Sequence, residues 1–88
     1  MTAHSNPNRA PIMLPDIGCG DQPLRVSAWL IEPGHAVVAG DRVVEVLIPG
    51  MTFDVSAVQT GELIEISRDV DSLVSPGDIL GWIACENP

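Results

Sequence analysis

Lysine is missing from all 88 residues, so no side chain offers an amine, and the cations are Arg9, Arg25, Arg42 and Arg68. The net charge is −8. So acidic a surface repels phosphate backbones and excludes nucleic acid as an expected partner. Tyrosine is absent too, and one Phe with two Trp leaves aliphatic side chains to build the core. Uninterrupted apolar runs reach only the length of Ala36-Val37-Val38-Ala39, far below the roughly 20 residues that a membrane span needs. No basic segment followed by an apolar one opens the chain, so no secretory signal is expected and a cytoplasmic location is the default. Cys19 and Cys85 lie 66 positions apart, which predicts free thiols rather than a disulfide framework. Neither belongs to a Cys-x-x-Cys pair, and His4 and His35 stand at no ligand spacing from them, so no metal site is expected. His35 is expected to cap an exposed turn.

What is present is β-structure with strong punctuation. The chain is organised around Val43-Val44-Glu45-Val46-Leu47-Ile48-Pro49-Gly50-Met51-Thr52-Phe53-Asp54-Val55, where two runs rich in β-branched residues flank Pro-Gly. Proline presets φ at the second position of a type II turn and glycine accepts the positive φ required at the third, so this stretch predicts a hairpin. Residues 1–11 show no periodicity and are expected to form a disordered leader, residues 12–84 the single domain, and residues 85–88 a short tail. Strands are expected at Ile12-Met13-Leu14 and from Leu24 to Ile31, with a glycine- and proline-punctuated loop between them.

Beyond the second strand the chain repeats itself. A shift of 37 places Val26 on Leu63, Val37 on Val74, Gly40-Asp41 on Gly77-Asp78, Val43 on Leu80 and Val46 on Ile83. The match weakens at Ala28 and Glu65, where a bulge or face switch is expected. Pro or Gly interrupts nearly every ten-residue window, and turn signals recur every 8 to 12 residues. Helix is excluded, and an all-β sandwich or barrel with internal pseudo-twofold symmetry is predicted.

Leu14-Pro15-Asp16-Ile17-Gly18, Val26-Ser27-Ala28-Trp29-Leu30-Ile31, Pro33-Gly34-His35-Ala36-Val37-Val38-Ala39-Gly40-Asp41 and Val74-Ser75-Pro76-Gly77-Asp78-Ile79-Leu80 carry a family likeness. Together they resemble the lipoyl domains of 2-oxo acid dehydrogenase acyltransferase subunits and, more loosely, the biotin carrier domains. The likeness covers about residues 12 to 83. It implies a barrel-sandwich hybrid, a flattened barrel of two four-stranded antiparallel sheets. It also implies a cofactor carried on a lysine at the central hairpin's apex, within Asp-Lys-Ala or, for biotin, Met-Lys-Met. In this sequence those positions are Pro49, Gly50 and Met51. Lipoate and biotin are attached as amides, and glycine has nothing to acylate, so no cofactor is expected.

Pro49-Gly50 is then either a turn maintained for its own sake or a tip that presents Met51 and neighbouring apolar groups to a partner. Glu45 and Asp54 are expected on a solvated strand face, since no nucleophile or histidine joins them. In the family likeness Cys19 lies near the hairpin, but no flanking cation activates it. The expected function is a non-catalytic, cofactor-free recognition or structural module, with a protein partner such as an acyltransferase-like multienzyme complex. The alternative is a swinging-arm carrier with an atypical attachment point. An enzyme is discounted for want of a nucleophile, base or metal cluster, and a phosphocarrier because His35 lacks a supporting motif.

Overall fold

Alternation along the strands decides which side of each is buried. In the strand Arg42–Ile48, Val44 and Val46 point inward while Leu47 is exposed, and in Met51–Ser56 Val55 is buried between half-buried Asp54 and Ser56. The computed structural model describes residues 8–18, 20 and 22–85. Its eight strands are β1 (Arg9–Met13), β2 (Leu24–Trp29), β3 (Ala36–Val37), β4 (Arg42–Ile48), β5 (Met51–Ser56), β6 (Gly61–Ile66), β7 (Leu73–Val74) and β8 (Ile79–Cys85). They form two four-stranded sheets, ordered β1-β8-β6-β3 and β5-β4-β2-β7, with every pairing antiparallel. Among the described residues none is helical, and no helix long and apolar enough to cross a membrane occurs.

The two sheets are the same design used twice. Replacing β1, β2, β3 and β4 by β5, β6, β7 and β8, and the reverse, turns one strand order into the other. The bulges obey the same operation. Ser27 and Ile64 are skipped in the pairings of β2 with β4 and of β6 with β8. Val43 and Leu80 are skipped in those of β4 with β5 and of β8 with β1. The first pair falls where the repeat weakens, at Ala28 and Glu65, because an unpaired residue there changes the face that follows. The Gly-Asp corners coincide as well. Gly40 and Gly77 adopt φ of +97° and +92°. The Asp41 and Asp78 carboxylates accept the backbone N–H of Val38 and Ser75 at 2.9 and 2.8 Å.

Between the sheets lies an aliphatic core. Val26, Val43, Val44, Val46, Leu63, Leu80 and Ile83 are wholly excluded from solvent, and no polar or charged side chain is buried among the described residues. Trp29 lies half-buried at the margin, where its indole Nε1 donates to the Arg68 carbonyl at 2.8 Å.

One boundary differs from the sequence expectation. Arg9, Ala10 and Pro11, expected in a disordered leader, belong to β1, where they face Ala84, Ile83 and Trp82 of β8. They are held by the neighbouring strands of their own sheet, β8 and β6. The Arg9 guanidinium stacks 4.8 Å from the Trp82 ring centroid and pairs with Glu65 at 3.3 Å. Pro11 is tolerated because β1 is an edge strand, with ladder bonds on one side only. Residues 1–7 and 86–88 of the expected leader and tail lie outside the described residues, while Cys85 closes β8.

Candidate functional site

The hairpin expected at Pro49-Gly50 forms, and it is as tight as a hairpin can be. Ile48 pairs with Met51 as the last rung of β4 and β5, so Pro49 and Gly50 alone make the turn. Gly50 takes φ +81°, whereas Pro49 is not among the positive-φ residues. That combination defines the type II turn anticipated from the Pro-Gly order. Pro49, Gly50 and Met51 are all exposed, and nothing would lie within 4 Å of a Cβ added at Gly50. The tip is therefore open to solvent, with room for a side chain at Gly50.

The tip has little chemistry of its own. A pyrrolidine, a hydrogen and a thioether supply no amine, acid or nucleophile, so they do not fit a group held through an amide. Further down the hairpin, Glu45 and Asp54 face each other directly across β4 and β5. They are half-buried rather than freely solvated, which departs from the expectation, because neighbours engage them. Ser27 Oγ donates to Glu45 at 2.8 Å, and Arg42 approaches one Asp54 oxygen at 3.5 Å. The other Asp54 oxygen is buried with no hydrogen-bond partner. These carboxylates border an open depression of about 570 Å³ with Leu30, Asp41 and Arg42. It holds no nucleophile or histidine, and no cluster of metal-ligating side chains occurs among the described residues.

His35 lies apart from the hairpin in the turn foreseen for it, where its Nδ1 stands 3.1 Å from the Glu32 carbonyl oxygen. Cys19 falls outside the described residues, and Cys85 is a free, half-buried thiol at the end of β8.

The sequence reading did not single out the flank of the hairpin. A cleft of about 320 Å³ runs beside the tip between Pro23, Arg25, Leu47, Pro49, Gly50 and Leu73. Leu73, Arg25, Leu47 and Thr52 stand in one row across all four strands of their sheet. They come from three separate stretches of chain, β2, the β4–β5 hairpin and β7, which the strand register aligns.

With this geometry in view, the comparisons with known proteins are decisive. The sequence model of the biotin/lipoyl family, described as "Biotin-requiring enzyme", matches residues 10–83. The chain belongs to the biotin/lipoyl attachment family. Among solved structures, this biotin/lipoyl domain is similar to the lipoyl domain of the 2-oxoglutarate dehydrogenase complex from Azotobacter vinelandii. The two share 25% identity over 83% of this chain and 92% of that one, with a TM-score of 0.66. No curated protein matches the biotin/lipoyl domain in sequence. The fold foreseen from the resemblance, two four-stranded antiparallel sheets, is the fold found.

Proposed function

We infer that this biotin/lipoyl domain carries no cofactor and works as a recognition or structural module, without catalysis of its own. The carrying observation is the pairing of an exposed hairpin tip with a sequence that has no lysine. The resemblance puts the family's acceptor at Gly50, and the tip is fully accessible there, so what is missing is the amine and not the access. The similar lipoyl domain belongs to a 2-oxoglutarate dehydrogenase complex. That supports a protein partner for this chain within a multienzyme assembly, an acyltransferase-like one by the resemblance.

Co-expression with a lipoate ligase and a biotin ligase, followed by intact mass measurement, tests this reading. The unmodified mass is expected under both conditions. A mass gain equal to a lipoyl or biotinyl group would favour the alternative, a swinging-arm carrier with an atypical attachment point. In that case Gly50→Lys would leave the native modification in place, since the attachment would lie elsewhere.

A further inference from the structure

Because the barrel is built twice, each sheet serves as a control for the other. The hairpin sheet carries the row Leu73–Arg25–Leu47–Thr52 across its four strands. The same positions in the opposite sheet, in the same register, are Ala36–Glu62–Ala84–Arg9. Backbone pairing is alike in the two rows, so the fold alone is satisfied by two alanines around a carboxylate. The hairpin sheet instead has two leucines around a guanidinium.

Neither difference serves the barrel. Leu73 and Leu47 are 62% and 47% exposed, so their added methyl groups face water instead of the core. Arg9 and Arg42 make ion pairs, whereas Arg25 meets no carboxylate among the described residues and donates only to the Asp71 carbonyl, at 2.9 Å. The three side chains line the cleft beside the hairpin tip.

We propose that the Leu73–Arg25–Leu47 row is a docking surface for a partner segment bearing one carboxylate between two apolar side chains. The carboxylate meets the Arg25 guanidinium and the apolar groups cover the leucines. This rests on reading the chain as a recognition module, and it assigns that module a face and a partner chemistry. Adjacent strands lie about 4.8 Å apart, which sets the two leucine positions roughly 10 Å apart with the Arg25 position between them. An α-helix spans about the same distance in seven residues, so apolar positions i and i+7 with an acid at i+3 match the row. The net charge of −8 favours a segment that is otherwise basic. It also disfavours a second copy of this acidic chain.

The test uses the full chain, isotope-labelled, and a helical peptide with Leu at i and i+7, Glu at i+3 and lysines on its other face. Amide shifts on titration should map to Arg25, Leu47 and Leu73 and leave Ala36, Glu62 and Ala84 unmoved. Arg25→Glu should weaken binding at least tenfold, and a peptide with Lys in place of its Glu should recover that loss. Leu73→Ala should weaken binding severalfold. All three side chains are exposed, so these variants should retain the wild-type unfolding midpoint. Absence of binding, equal shifts in both rows, or affinity indifferent to Arg25→Glu would overturn the proposal. So would concentration-dependent self-association lost in Glu62→Ala, which would identify a second copy as the occupant. None of these outcomes bears on the intact mass, so the docking surface and the cofactor-free reading stand or fall separately.

Discussion

At Gly50 the backbone sits at φ +81° with open space where a Cβ would go, so only conformation demands glycine there. Gly81 is the opposite case. Its φ is ordinary, but an added Cβ would lie 2.6 Å from the Glu65 carbonyl oxygen and 2.9 Å from the Trp29 ring. The two substitutions should therefore differ. Gly50→Ala is expected to cost about 1–2 kcal/mol, the penalty for an L-residue in the left-handed region. Gly81→Ala should cost about 3 kcal/mol, near the top of the range for overpacked sites, because backbone and a packed indole must both give way. Urea denaturation of the two variants measures this, and the reverse order would contradict the assignment. At this scale the sequence was informative about Gly50, since Pro-Gly between strands is a local turn signal. It was silent on Gly81, whose neighbours come from β2 and β6.

Among the elements, β1 is the one whose start local pattern could not reveal. Arg9-Ala10-Pro11 lacks alternation and contains a proline, yet these residues occupy three of the five rungs that β1 makes with β8. Deleting residues 1–11 should cost roughly 2 kcal/mol, given about 0.5–1.5 kcal/mol net for each lost backbone hydrogen bond. Loss of 2 kcal/mol lowers Tm by about 10 °C in a domain of this size. Deleting residues 1–7 removes none of these rungs, so its Tm should lie above that of the longer truncation. Equal Tm values for the two truncations would show that the edge strand contributes nothing. By contrast, the central hairpin, the Gly-Asp corners and the bulges beside Ala28 and Glu65 were legible, because each depends on turn residues or on a break in alternation. The Leu73–Arg25–Leu47 row was not legible, since its members lie up to 48 positions apart and meet only through register.

For the whole molecule, the twofold design explains how a chain of this length supports a barrel with so few aromatics. Corresponding aliphatic residues of the two halves, Val26 with Leu63, Val43 with Leu80 and Val46 with Ile83, are all fully buried. The repeat was visible in the sequence because these pairs keep one spacing along the chain. If that scaffold is intact and only the acceptor is gone, the acceptor should be restorable. Replacing Pro49-Gly50-Met51 by Asp-Lys-Ala should make the domain a substrate for a lipoate ligase, with a mass gain of one lipoyl group per chain. Gly50→Lys alone should be modified far less, because Pro49 and the left-handed turn hold the new side chain in a strained conformation. Failure of the three-residue replacement, in a variant that folds, would mean that more than the tip has been lost.

Whether the chain carries a cofactor is read most directly from its state in its own cell. Purified from there and digested, its peptides should cover this sequence at their unmodified masses, with no lipoyl or biotinyl group on any residue. A population heavier by a lipoyl or biotinyl group, mapped by peptide sequencing to any residue, would contradict the cofactor-free reading.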